Sequence, residues 1–260
     1  MGFSADWLAL REPADLAARD ADLLRRAAAL ARAGSAAPPV IVDLGCGTGA
    51  TRRAFGATLE DAVWRVVDAD ANLLALARGE AHQTDLNRID DLPLQGAGLF
   101  TASALLDLVS IDWLDRLIAR LKDMRLPFYA ALTYDGEMNW TERHAGDEAV
   151  TRAFNQHQRG DKGFGPALGP QAAEAAAARL RAAGFRVTEA ASPWRLGPDR
   201  AELQRELLAG IAAAAAEAGA EGCDDWLRAR LASLQEGVCR IGHRDLLALP
   251  PGQGNEEGVA

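Results

Sequence analysis

Asp43, Gly45, Gly47 and Gly49 stand at alternate positions of one short stretch, VIVDLGCGTGA, residues 40–50. Glycine lets a chain turn tightly and lets a ligand approach the backbone. A turn from strand to helix also exposes unpaired N–H groups and the positive end of a helix. Many nucleotide folds hold a phosphate there. Asp43 changes that chemistry, because a carboxylate beside the turn repels a pyrophosphate. It suits a ligand with a positive charge and hydrogen-bond donors. Asp68 ends the apolar stretch WRVVDAD, where a carboxylate can accept both hydroxyls of a ribose. Asp85 ends AHQTDL, where a carboxylate can accept from an adenine amino group. One acid after each of three successive strands fits a nucleoside that carries an ammonium group and no phosphate. The turn also satisfies the loose dinucleotide pattern, with Ala50 as its last small residue, which leaves an NAD-dependent oxidoreductase as an alternative. Asp43 and Asp85 argue against it.

The stretch Asp43-Leu44-Gly45-Cys46-Gly47-Thr48-Gly49 resembles the first motif of the class I S-adenosylmethionine-dependent methyltransferases. Asp68 with Ala69, and Asp85 with Leu86, match that family's acids after strands two and three. The resemblance covers about residues 38–135 by motif and the rest by element order. It implies methyl transfer from S-adenosylmethionine (SAM) to a small-molecule acceptor, with S-adenosylhomocysteine (SAH) as product. A binding protein of the same fold without chemistry is the other alternative. The resemblance implies that the turn, with Cys46, approaches the methionine part and that Asp43 orients it. Asp68 and Ala69 would hold the ribose, Asp85 and Leu86 the adenine. Ser103 would lie near the amino-acid moiety, and Arg11 near its carboxylate or an acidic substrate. It also implies a seven-stranded sheet whose last strand is reversed.

Methyl transfer is an in-line displacement, so the protein chiefly aligns and desolvates. A base is needed only where the acceptor must lose a proton. Candidates lie beyond strands four and five. They are Asp107, His144 and His157 for catalysis, and Tyr134, Glu137, Trp140, Asn155 and Phe164 for the acceptor. His157 with Asn155 is the preferred base or orienting pair. His82 and His243 read as structural. No HxH, HExxH or paired-carboxylate pattern accompanies the histidines, so no metal is expected.

The elements that must position these groups alternate as strand and helix, with continuous apolar strands. This pattern predicts a doubly wound, Rossmann-like α/β domain over residues 1–250 with both sheet faces covered. Residues 13–33 read as one helix that starts at Pro13 and stops at Gly34, part of an N-terminal lid over about 1–35. Residues 134–170 read as a polar insertion, 199–236 as two helices, 238–249 as the last strand and 251–260 as a disordered tail. The 260 residues are 49% apolar and 25% charged, with net charge −9, which disfavours nucleic acid and anionic lipid as partners. Neither a long apolar run nor a secretory start is present, so no membrane span is expected. Three cysteines without CxxC spacing read as packing thiols in a reducing cytoplasm.

Overall fold

The strands alternate between two covered faces, and that alternation fixes which side chains reach the site. The computed structural model describes residues 3–33 and 38–252. Gly34 and most of the expected tail lie outside them. Helices α1 (Ala5–Ala18) and α2 (Ala21–Ala33) precede strand β1 (Val40–Leu44). Then follow α3 (Ala50–Phe55), β2 (Val63–Asp68), α4 (Ala71–Leu74), β3 (Glu80–Gln83) and β4 (Leu99–Ser103). Helix α5 (Ile111–Asp123) leads to β5 (Phe128–Trp140), α6 (Asp147–His157) and α7 (Ala172–Ala182). Strands β6 (Arg186–Ala191) and β7 (Trp194–Leu196), helices α8 (Ala201–Glu217) and α9 (Cys223–Ala232), and β8 (Cys239–Leu249) complete it.

The sheet order is β3-β2-β1-β4-β5-β8-β6. Pairs among β1 to β5 are parallel, and β8 runs antiparallel between β5 and β6. The reversed last strand is therefore present. The sheet has eight strands rather than seven, because Ser192-Pro193 separates β6 from β7 and β7 pairs separately with β8. Proline supplies no ladder donor, which accounts for the break. Val42 and Leu44 pack under α5 and α7, while Ile41 packs under α2. Asp43 shares the α2 side with Ile41, since successive side chains on a strand point to opposite faces.

Two other expectations change. Residues 13–33 form two helices, with Pro13 inside α1. Asp20 begins the second one: its carboxylate accepts the Leu23 N–H at 2.8 Å, as an N-cap does. Helix α4 spans Ala71–Leu74 and is capped by Asp70, whose carboxylate accepts the Asn72 N–H. The start of the 134–170 insertion is strand, since β5 continues to Trp140 along β8 through two register shifts. Asp245 of β8 holds the first shift, accepting the Leu132 N–H at 2.9 Å where Leu132 has φ +56°. Ser110 caps α5, accepting the Trp113 N–H.

Candidate cofactor site and acceptor groove

The glycine turn consumes its own amides. Cys46 N–H donates to Val67 O at 3.1 Å, Gly47 N–H to the Asp68 carboxylate at 2.9 Å, and Gly49 N–H to Cys46 O at 2.8 Å. Those three amides are spent inside the protein, and the following helix is six residues long. A pyrophosphate finds little to bind here. The positive φ of Gly47, +53°, carries the turn around, and a Cβ there would meet Leu8 of α1 at 3.0 Å. Helix α1 thus lies directly on the turn. Glu12 and Arg53 fasten it with bonds of 2.5 and 2.7 Å, and Arg53 also donates to Thr48. Between α1 and α3 lies a water-sized crevice of about 20 Å³.

Asp43 is fully buried at the end of β1. Thr101 donates to its Oδ1 at 2.7 Å, and its Oδ2 has no partner among the described residues. Burial pushes its carboxyl up to about 6, against the pull of Thr101, Arg19 and Thr51. Facing it is Arg19, which the break between α1 and α2 drops into the site. Arg19 Nη2 donates to Ser103 Oγ at 3.0 Å, Ser103 also meets Thr51 Oγ1 at 3.1 Å, and the buried Arg19 Nη1 has no partner. Ser103 stands at the end of β4, and the cation beside it is Arg19. Arg11 is engaged elsewhere: it pairs with Asp15 at 2.9 Å and stacks over Trp194 at 5.0 Å, and Trp194 Nε1–H donates to the same Asp15. Sequence reading placed Arg19 on the first helix and gave it no role. The signal was Asp20, an N-cap residue in mid-pattern that marks a helix break and an inward-turned neighbour.

Asp68 accepts from Gly47 and, at 3.0 Å, from Asp70, which fixes its carboxylate at the end of β2 with lone pairs left for a ligand. Ala69 beside it is exposed, and its carbonyl accepts from Gln83 at 3.2 Å. Asp85 is exposed and accepts the Asn87 N–H. Leu86 and Leu105 flank Gly45, with side-chain atoms 3.8 and 3.5 Å from where a Cβ would stand. Cys46 is buried, and burial raises its thiol pKa, so it is a packing group in the turn. Phe164 is not on the acceptor side. Its ring meets Trp113 edge-on at 5.7 Å, and Trp113 Nε1–H donates to Leu86 O. Its loop is tied to Asn87, which donates to Gly163 O at 2.9 Å.

Beyond β4 and β5 stands a second group. Asp107 Oδ1 is shut off from solvent and unpartnered, and burial raises its carboxyl to about 6 while Arg11, Lys162 and the Tyr134 N–H oppose this. The Tyr134 hydroxyl donates to Asn155 Oδ1 at 2.8 Å, and its ring meets His243 at 6.2 Å. His243 also lies 5.1 Å from Trp194. Burial, with Arg11 nearby, lowers the His243 pKa to about 3, so the imidazole is neutral. The expected His157–Asn155 pair is not made. His157 faces Glu217 of α8 at 3.0 Å, because the last turn of α6 points it toward α8, while Asn155 faces β5. The His144 ring accepts the Gly146 N–H and shapes the start of α6. Glu137 points outward to Arg240 at 2.8 Å. Trp140, His144 and Asn155 come together with Met138 along an open groove of about 800 Å³ between β5 and α6.

No family model and no curated sequence matches the chain. Solved structures match it in fold. The cyclopropane synthase MmaA2 of Mycobacterium tuberculosis is 13% identical, with TM-score 0.53 over 95% of this chain and 94% of that one. A cyclopropane-fatty-acyl-phospholipid synthase-like protein of Lactobacillus casei is 13% identical, with TM-score 0.51 over 90% and 98%. The YcgJ protein of Bacillus subtilis is 13% identical, with TM-score 0.50 over 90% and 100%. The Rossmann-like α/β fold with a reversed strand is shared with them.

Proposed function

We propose that this chain is a class I SAM-dependent methyltransferase acting on a small-molecule acceptor. One observation carries the reading: two buried side chains of opposite charge beside the glycine turn, Asp43 and Arg19, each keep an atom, Oδ2 and Nη1, without a hydrogen-bond partner among the described residues. An ammonium and a carboxylate on one ligand answer both, and the methionine end of SAM has both. Buried charges left unpaired are costly, so a zwitterionic partner stabilises the pair strongly. Asp68 then takes the ribose hydroxyls, and Asp85 with Leu86 and Leu105 the adenine. When bound, SAM supplies an activated methyl for in-line displacement.

This chain's residues do the remaining work. Helix α1, held by Glu12–Arg53, lies over the turn. Asp107 is the proton acceptor, because its buried carboxyl titrates near neutral pH, where a base is most effective. Tyr134 and Asn155 orient the acceptor at the inner end of the groove, and neutral His243 supports the tyrosine ring.

Thermal unfolding with SAM, SAH and NAD in separate samples tests this. A ligand at about 100 times its dissociation constant adds roughly 2.7 kcal/mol to the folded state. Stabilisation by SAM and SAH but not by NAD is the expected result. Stabilisation by NAD alone would overturn it in favour of an oxidoreductase. Stabilisation by SAH with no product from any acceptor would favour the binding protein.

A further inference from the structure

The groove between β5 and α6 carries two cations that nothing balances. Five charged residues line it: Arg143, Asp147, Glu148, Arg152 and Arg159. Asp147 is neutralised by Arg230 behind the groove, and Glu148 by Arg152 at 2.5 Å. Arg143 and Arg159 have no pairing partner among the described residues, and both are exposed. They sit before and after α6, whose 11 residues span about 16 Å at 1.5 Å per residue. Met138 and Trp140 also line the groove, Trp140 held edge-on by Trp226 at 5.5 Å and by Arg230, which lies over its ring at 4.6 Å. The volume, about 800 Å³, falls within the usual range for small-molecule sites.

We propose that this groove binds an elongated organic anion, its apolar or aromatic body on Met138 and Trp140 and its acidic group on Arg143 or Arg159. Asn155 joins the groove to the site, since it lines the groove and accepts from Tyr134. The inference rests on the transferase reading in naming this anion as the acceptor class. The binding site itself does not depend on that reading.

The probe is 1-anilinonaphthalene-8-sulfonate, which has an aromatic body and one sulfonate. N-phenyl-1-naphthylamine has the same body without the charge. Fluorescence titration compares the wild type, R143E/R159E, and R25E/R228E. The last carries the same charge change on two exposed arginines elsewhere, each in an i,i+3 pair. The expected result is at least tenfold weaker sulfonate binding in R143E/R159E, unchanged binding in R25E/R228E, and unchanged binding of the neutral dye in all three. Equal sulfonate binding by the wild type and R143E/R159E, or an equal loss in R25E/R228E, would overturn the proposal. So would displacement of the sulfonate by saturating SAH, which would place the dye in the cofactor cleft. An arginine-dependent sulfonate site in a protein that SAH does not stabilise would support the groove and remove the transferase reading.

Discussion

Asp43 and Arg19 set the chemistry at the scale of single residues. Asp43 has its carboxyl raised to about 6 by burial, so near that pH a fraction of the ligand-free protein holds a proton there. Pairing with a ligand ammonium requires the ionised form. SAH affinity is therefore expected to rise as pH increases from 5 to 7. Calorimetry at pH 6 in buffers of different ionisation enthalpy should detect proton release on binding. Affinity that is flat across this range, with no proton released, would exclude Asp43 from the ammonium contact. Asp107 makes a parallel case for the second half of the reaction. With its carboxyl near 6, turnover should fall as pH drops through that value, because the base becomes protonated. Asp107→Asn should lower kcat by about 10²-fold or more and remove that acid limb, with SAH affinity nearly unchanged. An unaltered pH profile in the variant would assign the proton transfer elsewhere. The positions of Asp43 and Asp68 at the ends of β1 and β2 were legible in the apolar runs before them, whereas Asp85 stands two residues past the end of β3. Arg19 was not legible, because its role depends on a helix break that alanine-rich periodicity conceals.

The glycine turn and α1 act together at the scale of elements. Gly47 has φ +53° and Leu8 above it. Gly47→Ala should cost about 1–2 kcal/mol, since a left-handed conformation strains a residue with a Cβ. For a chain near this size that lowers Tm by roughly 2–8 °C. The double variant Leu8→Ala/Gly47→Ala should recover only the part due to contact with Leu8. Full recovery would show that backbone strain is not what the glycine relieves. The fastening of α1 by Glu12 and Arg53 was invisible in sequence, because the two residues are 41 positions apart. The extension of β5 to Trp140 was equally hidden. Its polar residues alternate with buried ones only once β8 is in place beside it, and a polar sequence with glycine reads locally as a loop. That extension moves Trp140 to the groove and Glu137 to its outer face.

At the scale of the whole molecule, the order β3-β2-β1-β4-β5-β8-β6 brings the ends of β1, β2 and β4 to one edge, with β3's acid beyond. Continuous apolar strands alternating with helices made this architecture readable, since both faces of a parallel sheet must be covered. The acceptor side was readable only as a region. Its residues come from β5, α6 and β8, and their partners are set by long-range packing: Asn155 meets Tyr134 instead of His157. On the proposed function, the glycine turn binds a zwitterionic nucleoside through Asp68 and Arg19. The most direct test is calorimetric titration of SAH into the wild type, Asp68→Ala and Arg19→Met. The account predicts one SAH per wild-type chain and at least tenfold weaker binding in each variant. Binding of equal strength in all three, or no binding to the wild type, would contradict it.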